Sequence, residues 1–508
     1  MILSQMVCPS TGEAYALYCR GRTKRNVQKD IQLLPGETVR FDTYFGAFFY
    51  GVYMECTNVE QVRAVVVTTG EICVRLFSLN SGNQEVLLSE KEVHGAGTRT
   101  DFPGYRLSDL PADGALFLEV TARSDPAYVH SGWYESDVSY QRVKVAVVIC
   151  TYYRERYVER NLRVLREKIL ENEDCPAYGA VDVFVVDNGK SLQLEPSPHI
   201  FLFPNKNCGG SSGFARGILE ACGSGEGYTH VLLMDDDIAF EPETVVRTVQ
   251  FLRAAKTSAR TLCVGGQMLL ENSPTIQFEA GASYINGRLA PNGKGLDLSG
   301  REALLKNARN IPIQYNAWWY CSLPVSAIQT YGLPLPLFIK TDDVEYGLRI
   351  GAKIVLMNGI GVWHSEFSGK YSPYLEYYIK RNELIVSAIH GSGAGAFRSL
   401  WKLLRTCGRA CLTGEAGIVY FVSRACADFL KGPEFLLETD GEALHRDLMA
   451  AGKNNFTFLK EWPRLVFRLL SLAVRYSTVR RAYQERWQKL TSERFWRRYL
   501  DIEGEKQP

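Results

Sequence analysis

Four places in the chain put polar side chains beside an apolar run. Thr151, Tyr152, Tyr153 and Arg154 follow VAVVIC; Asp187, Asn188 and Gly189 follow VFVV; Asp235, Asp236 and Asp237 follow VLLM; Asp342 and Asp343 precede VEYGLRIG. Ligands of open α/β sheets bind at the carboxyl ends of the strands, so these groups, aligned along one edge, would line a cleft with carboxylates and one arginine. Alternation sends Asp235 and Asp237 to the same side, where two carboxylates suit one hard divalent cation. Asp237 could instead cap a helix, but Pro242 places that helix start several residues later. His364 closes IVLMNGIGVWH. It reads either as a satisfied strand-end histidine or as a third metal ligand, since imidazole tolerates Mn2+. Of Asp342 and Asp343, one can cap the following helix and the other, freed from capping, can be a general base. Trp318 and Trp319 in YNAWWYC read as core, or as the apolar platform on which a sugar ring stacks its C–H face. NKNCGGSSGFARG offers glycines for close backbone approach and a helix N-terminus for an anion, yet matches neither a Walker loop nor GxGxxG.

The elements needed to position these groups are legible as hydrophobic patterns. Residues 1–140 carry short runs such as AVVVTTG, CVRLFSL, EVLLSE and ALFLEVTA between Gly, Asn and Pro turns, which predicts a β-sandwich. From Val143 the pattern changes. VKVAVVIC, VDVFVVDN, HIFLF and THVLLMDDD read as strands buried on both faces, with helical stretches over 154–170 and in SSGFARGILEACG. The alternation predicts a mostly parallel, doubly wound α/β domain over 141–390. From Gly391 helical spacing takes over, predicting a helical domain over 391–508. Its tail from Lys460 to Arg498 has eleven Lys and Arg against three Glu, with Arg464, Arg468 and Arg475 on one helical face beside a stripe of Leu465, Leu469, Leu472 and Tyr476. Such a helix is either a solvated face packed on the core or a peripheral anchor on an anionic membrane.

Composition bounds the partners. The 508 residues suit about three domains, and 58 basic against 56 acidic side chains leave no chain-wide field for nucleic acid. The 13 cysteines are an odd number without a CxxC pair, which points to a reducing, cytosolic setting rather than a disulfide framework or a zinc ribbon. MILSQMVCPSTGE does not read as a signal peptide, and no apolar run reaches the length of a spanning helix. These features predict a soluble or peripheral protein.

Taken in order, Thr151 to Arg154, VVDNG, NCGGSSGF, MDDDI, YNAWW, FIKTDDVEYGLR and VWH make the chain resemble the polymerising galactofuranosyltransferases of the mycobacterial cell wall, inverting glycosyltransferases of the GT-A fold. The likeness is specific over 141–390 and looser in the flanking regions. It departs at TYYR and NCGGSSG, both beside the donor. The resemblance implies that Asp235, Asp237 and His364 hold Mn2+ or Mg2+ and that Arg154, Asp187, Asp235 and Asp236 bind the donor. It likewise implies that Trp318, Trp319 and Asp342 line the acceptor site and that Asp343 is the base. The donor expected is UDP-galactofuranose, and the acceptor a glycan or glycolipid growing at the inner face of the cell membrane. No nucleic acid is expected as a partner, and a homo-oligomer is compatible. The alternatives are a rhamnosyltransferase using a dTDP-sugar, a non-catalytic carbohydrate-binding protein, and a nucleotidyltransferase, which would release pyrophosphate.

Overall fold

The computed structural model describes residues 1–7, 14–21, 24–25, 30–124, 126–256, 261–285, 288–309, 311–366, 372–391 and 395–502. A nine-stranded mixed sheet carries the strand ends of interest. Along it, Ile200–Pro204, Val181–Asp187, Val145–Thr151 and His230–Asp235 run parallel. The last three carry apolar runs covered on both faces, as inner parallel strands require, while the edge strand Ile200–Pro204 is only partly buried. The register sets Thr151 opposite Asp187 and Cys150 opposite Asp235, so the polar ends share one edge.

Beyond His230–Asp235 the expectation of a mostly parallel sheet needs correction. Tyr320–Pro324 pairs antiparallel with both His230–Asp235 and Cys263–Leu270. Ile354–His364 then runs parallel to Cys263–Leu270, with Ala239–Phe240 antiparallel on its outer edge. An apolar run records that a strand is buried on both faces and says nothing of its direction. The Ala239–Phe240 pairing has a consequence for the site: with Ala239 opposite Trp363, the turn after Asp235 is drawn against the strand that ends in His364.

The predicted short strands form two antiparallel sheets, of seven and five strands, within Ile2–Glu135. They are fastened to the nine-stranded sheet through Arg247 of the helix Pro242–Ala254. Its guanidinium donates to the carbonyls of Gln5 and Phe45 at 2.6 and 2.7 Å while paired to the buried Glu243.

The region after Leu375 is helical, its longest element being Phe458–Leu490. There Leu465, Leu469, Leu472 and Tyr476 are buried against Leu375–His390 and Ala416–Phe429. The stripe read from the sequence therefore packs inward. A second stripe on the same helix, Leu459, Val466, Phe467, Leu470 and Val474, is exposed. Among the described residues all twelve cysteines are free, and no helix is long and apolar enough to cross a membrane.

Candidate active site

Three carboxylates in a row at a strand end repel one another unless their side chains diverge, and the turn after Asp235 separates them. Asp236 turns back into the protein, where it accepts from the Thr151 hydroxyl at 2.6 Å and from Arg154 at 3.0 Å. Asn161 donates to the carbonyls of Asp236 and Ile238, both at 3.0 Å, which fixes the turn. Asp235 and Asp237 are left on the other side, facing His364, and the three offer ligand atoms within 4.8 Å of one another.

That triad fits a divalent cation. His364 Nδ1 lies 2.5 Å from the Ser365 carbonyl, which can only accept, so Nδ1 carries the hydrogen. Nε2 then faces Asp237 Oδ1 at 3.2 Å. Two acceptors meet there unless a proton or a metal ion joins them. Burial and the charges of Asp237 and Asp236 push the Asp235 carboxyl well above its usual range, with His364 and Arg154 opposing. Burial disfavours the His364 cation, but the bond to Asp237 and the nearby carboxylates outweigh it and raise its pKa. Two carboxylates and an imidazole held by an outer hydrogen bond match the donor set of Mn2+ or Mg2+. A further trio, Cys73, Glu90 and Glu92, lies in the N-terminal region. Its acids are taken by Arg75 at 2.5 Å and Arg123 at 2.9 Å.

Arg154 stands at the N-terminus of the helix Glu155–Leu165 and spans Asp236 and Asp237 at 3.0 and 2.6 Å. Its side chain is 40% exposed, so the guanidinium retains donors toward the cleft. Asp187 is used differently. Its buried carboxylate accepts from the backbone N–H groups of Gly189, Ser191 and Leu192 at 2.8, 2.6 and 2.7 Å, shaping the loop beyond the strand. The glycine-rich segment packs close by. Asn188 donates to the Gly209 carbonyl at 3.1 Å, and a Cβ at Gly213 would lie 2.1 Å from Cys150 Sγ, so only glycine lets this helix approach the strand.

Asp342 and Asp343 begin the helix Asp342–Ile350 after Thr341, a left-handed residue at φ 69°. Neither caps through the expected geometry. Asp343 Oδ1 instead accepts from the adjacent Val344 N–H at 2.7 Å. The two aspartates face different neighbours. Burial, then the charge of Asp343, and more weakly that of Asp235, raise the Asp342 pKa. Burial raises Asp343 to about 6, opposed by the Val344 N–H and by Lys340. Asp343 in turn acts on Glu279, which burial and that charge push up to about 7.

Glu279, which the sequence reading did not single out, accepts from Tyr315 at 3.4 Å and closes the strand Ser273–Glu279. It bears the signal that marked the others, an acid at a strand end. TIQF is too polar, however, to be read as a buried run.

Trp318 and Trp319 are both buried, so neither indole presents an open stacking face. Trp318 lies edge-on to Phe214 and Tyr346, with ring centroids 5.1 and 6.1 Å away. Trp319 donates Nε1–H to the Gly266 carbonyl at 2.9 Å, while its own carbonyl accepts from Asp235 N at 3.4 Å. Trp319 thus supports the strand end that carries Asp235, while Trp318 packs among aromatic side chains.

No protein-family model matches the chain. Two curated proteins do. The galactofuranosyltransferase GlfT2 of Mycolicibacterium smegmatis is 28% identical over 474 residues, covering 86% of this chain and 72% of that protein. The galactofuranosyltransferase GlfT2 of Mycobacterium tuberculosis is 28% identical over 503 residues, covering 88% and 75%. A mannosyltransferase from Pyrobaculum calidifontis, solved with GDP-mannose and Mn2+, overlaps 67% of this chain and 89% of its own at a TM-score of 0.33 and 13% identity, a likeness too slight to carry an argument. The two relatives bear out the resemblance seen in the motifs: the chain is a glycosyltransferase, akin over most of its length to the galactofuranosyltransferases.

Proposed function

We propose that the chain is a metal-dependent, inverting galactofuranosyltransferase that moves galactofuranose from UDP-galactofuranose to a hydroxyl of a growing, lipid-linked bacterial glycan. The observation that carries this is the convergence of Asp235, Asp237 and His364 beside Arg154, on the edge where Thr151 and Asp187 also end. The choice of sugar follows the names of the two relatives. On this reading residues 141–390 form a GT-A core between an N-terminal β-sandwich over 1–140 and a C-terminal helical unit over 391–508, and the enzyme works at the inner face of the membrane.

Asp235, Asp237 and His364 would hold Mn2+ or Mg2+, which when bound supplies Lewis-acid stabilisation of the departing diphosphate. Arg154, oriented by Asp236 and Asp237, turns its free N–H groups to the donor phosphates. Asp187 serves the nucleotide through the backbone loop it holds. Asp343 keeps one oxygen on the Val344 N–H and uses the other to accept the proton of the acceptor hydroxyl. That hydroxyl attacks the anomeric carbon as the UDP leaves. One base without a separate nucleophile gives a single displacement, hence inversion. Asp342, Glu279 and Tyr315 surround the acceptor, on a floor supported by Trp318 and Trp319. The raised pKa of Asp343 suits a base that must hold a proton once it has taken it.

The test is to offer purified protein UDP-galactofuranose, dTDP-rhamnose and other nucleotide sugars with Mn2+ and a glycolipid acceptor, and to identify the sugar consumed and the product anomer by NMR. Consumption of dTDP-rhamnose alone would replace the donor, and retained configuration would overturn the single-base mechanism.

A further inference from the structure

The helix Gly395–Thr413 presents three distinct faces. Ser399, Leu403, Cys407 and Ala410 are buried against the protein. Phe397, Trp401, Leu404 and Leu412 recur at helical spacing on a second face and are exposed, Phe397 by 76% and Trp401 by 60%. Arg398, Lys402, Arg405 and Arg409 form a third face, and the helix contains no acidic residue. Monomer surfaces rarely collect large apolar side chains in this way without a partner.

The cationic face lines an open cleft of about 510 Å3. Lys402, Arg405 and Arg409 meet Lys380 and Arg288 across it, and its inner wall is Thr341 and Val344, which flank the aspartates proposed to serve the acceptor. Among the described lining residues the single carboxylate is Glu383, and Lys380 engages it at 3.3 Å. Burial lowers the Lys402 pKa, Glu383 opposes this, and the like charges of Lys380 and Arg288 add to it. Apolar exposure continues on the neighbouring helix Phe458–Leu490 through Phe467, Leu470 and Val474, the two helices being joined where Trp462 Nε1 meets Cys411 Sγ at 3.3 Å.

We propose that this cleft binds a phosphate or diphosphate group carried on a lipid, with the apolar face of Gly395–Thr413 seated in the bilayer beside it. A free phosphate would use the cations but leave Phe397 and Trp401 in water. A neutral membrane would use the aromatics but offer no anion to Arg288, Arg405 and Arg409. Only an anionic lipid engages both faces of one helix. The proposal rests on the reading that the acceptor is lipid-linked, and it places the carrier's charged group next to Thr341, at the mouth of the acceptor site.

Point variants of the full chain test it. Truncating the tail would strip Leu465, Leu469 and Leu472 from the core and confound folding with binding. Arg405→Gln/Arg409→Gln and Phe397→Ser/Trp401→Ser are compared with the parent by sedimentation on phosphatidylcholine vesicles with and without phosphatidic acid, and by titration with inorganic pyrophosphate. We expect the parent to bind vesicles only with phosphatidic acid. The arginine variant should lose roughly 30-fold in that binding, two cations' worth at an anionic surface, and should lose pyrophosphate affinity as well. The aromatic variant should lose vesicle binding and keep pyrophosphate. Parent-like pyrophosphate and vesicle binding by the arginine variant would overturn the anion site. Vesicle binding indifferent to phosphatidic acid would overturn the lipid source of the charge. A change from oligomer to monomer in the aromatic variant, with no vesicle binding by the parent, would assign the face to a second copy of the chain and overturn the proposal. Hydrolysis of the nucleotide sugar by water needs no acceptor, so it reports the transferase reading separately from these outcomes.

Discussion

Asp187 offers a sharp separation between a residue that contacts the nucleotide and one that builds the loop. Its Oδ1 accepts from Gly189 N–H and its Oδ2 from both Ser191 and Leu192 N–H, all within 2.8 Å, with the carboxylate buried. Asp187→Asn keeps the volume and removes the charge. Whichever way the amide is turned, its NH2 group must face at least one backbone N–H, so a donor meets a donor. If the oxygen stays with Ser191 and Leu192, one bond is lost. If it turns to Gly189, two are lost. Hydrogen bonds to a charged group contribute about 1.5–3 kcal/mol each, and the surviving bonds weaken to neutral strength. A net cost of about 3 kcal/mol follows. For a unit of this size that lowers the melting transition by roughly 6–12 °C. The assay is thermal unfolding followed by circular dichroism, together with hydrogen exchange on a peptide spanning residues 189–192, whose amides should exchange faster in the variant while those of Val145–Thr151 stay protected. Donor affinity should fall in parallel. Unchanged melting and exchange with weakened donor binding would refute the loop-building role and return Asp187 to direct contact.

Asp237→Asn should abolish metal-dependent donor binding by calorimetry, since it removes the negative charge of a proposed ligand that also pairs with Arg154 and His364; full activity in Mn2+ would remove the trio from the metal site. Asp343→Asn should lower turnover by roughly 100-fold or more while donor affinity survives, and equal losses in both would point to a binding role. Turnover should fall as pH drops below about 6, where Asp343 takes up a proton and ceases to be a base. Lys340 holds that pKa down, so Lys340→Met should move the acid limb of kcat to higher pH; a limb that stays in place would mean another group titrates. Trp319→Phe removes the shorter of two hydrogen bonds to the buried Gly266 carbonyl, the other coming from Asn316 at 3.4 Å. It should cost about 0.5–1.5 kcal/mol of stability, read in urea unfolding of the core, whereas a surface platform would lose only acceptor affinity.

Much of the architecture was legible because burial leaves a direct trace in composition. VKVAVVIC, VDVFVVDN and THVLLMDDD became adjacent strands because apolar runs without polar breaks are tolerated only between two covered faces, with HIFLF pairing on at the edge. The acids that end them were equally visible, since a charge after such a run marks the point where the chain leaves the core. What the residue types at Asp235, Asp237 and His364 determined was a chemistry, hard oxygen donors with an imidazole. The pairing of Ala239 with Trp363, which brings the last of these to the first two, is a long-range contact that no local pattern encodes. Tertiary structure alone likewise decided the division of labour among like residues. Asp236 and Asp187 are spent on Thr151, Arg154 and loop amides, while Asp235 and Asp237 turn toward His364, Asp237 also pairing with Arg154. Both tryptophans are buried rather than open to a ligand, and Glu279 arrives near Asp343 from a strand too polar to be read as buried. For the tail, helical periodicity showed that apolar and cationic residues segregate. It could not say that the Leu465 stripe packs inward while the Phe467 stripe faces out, because both have the same period and only the presence of neighbouring helices distinguishes them.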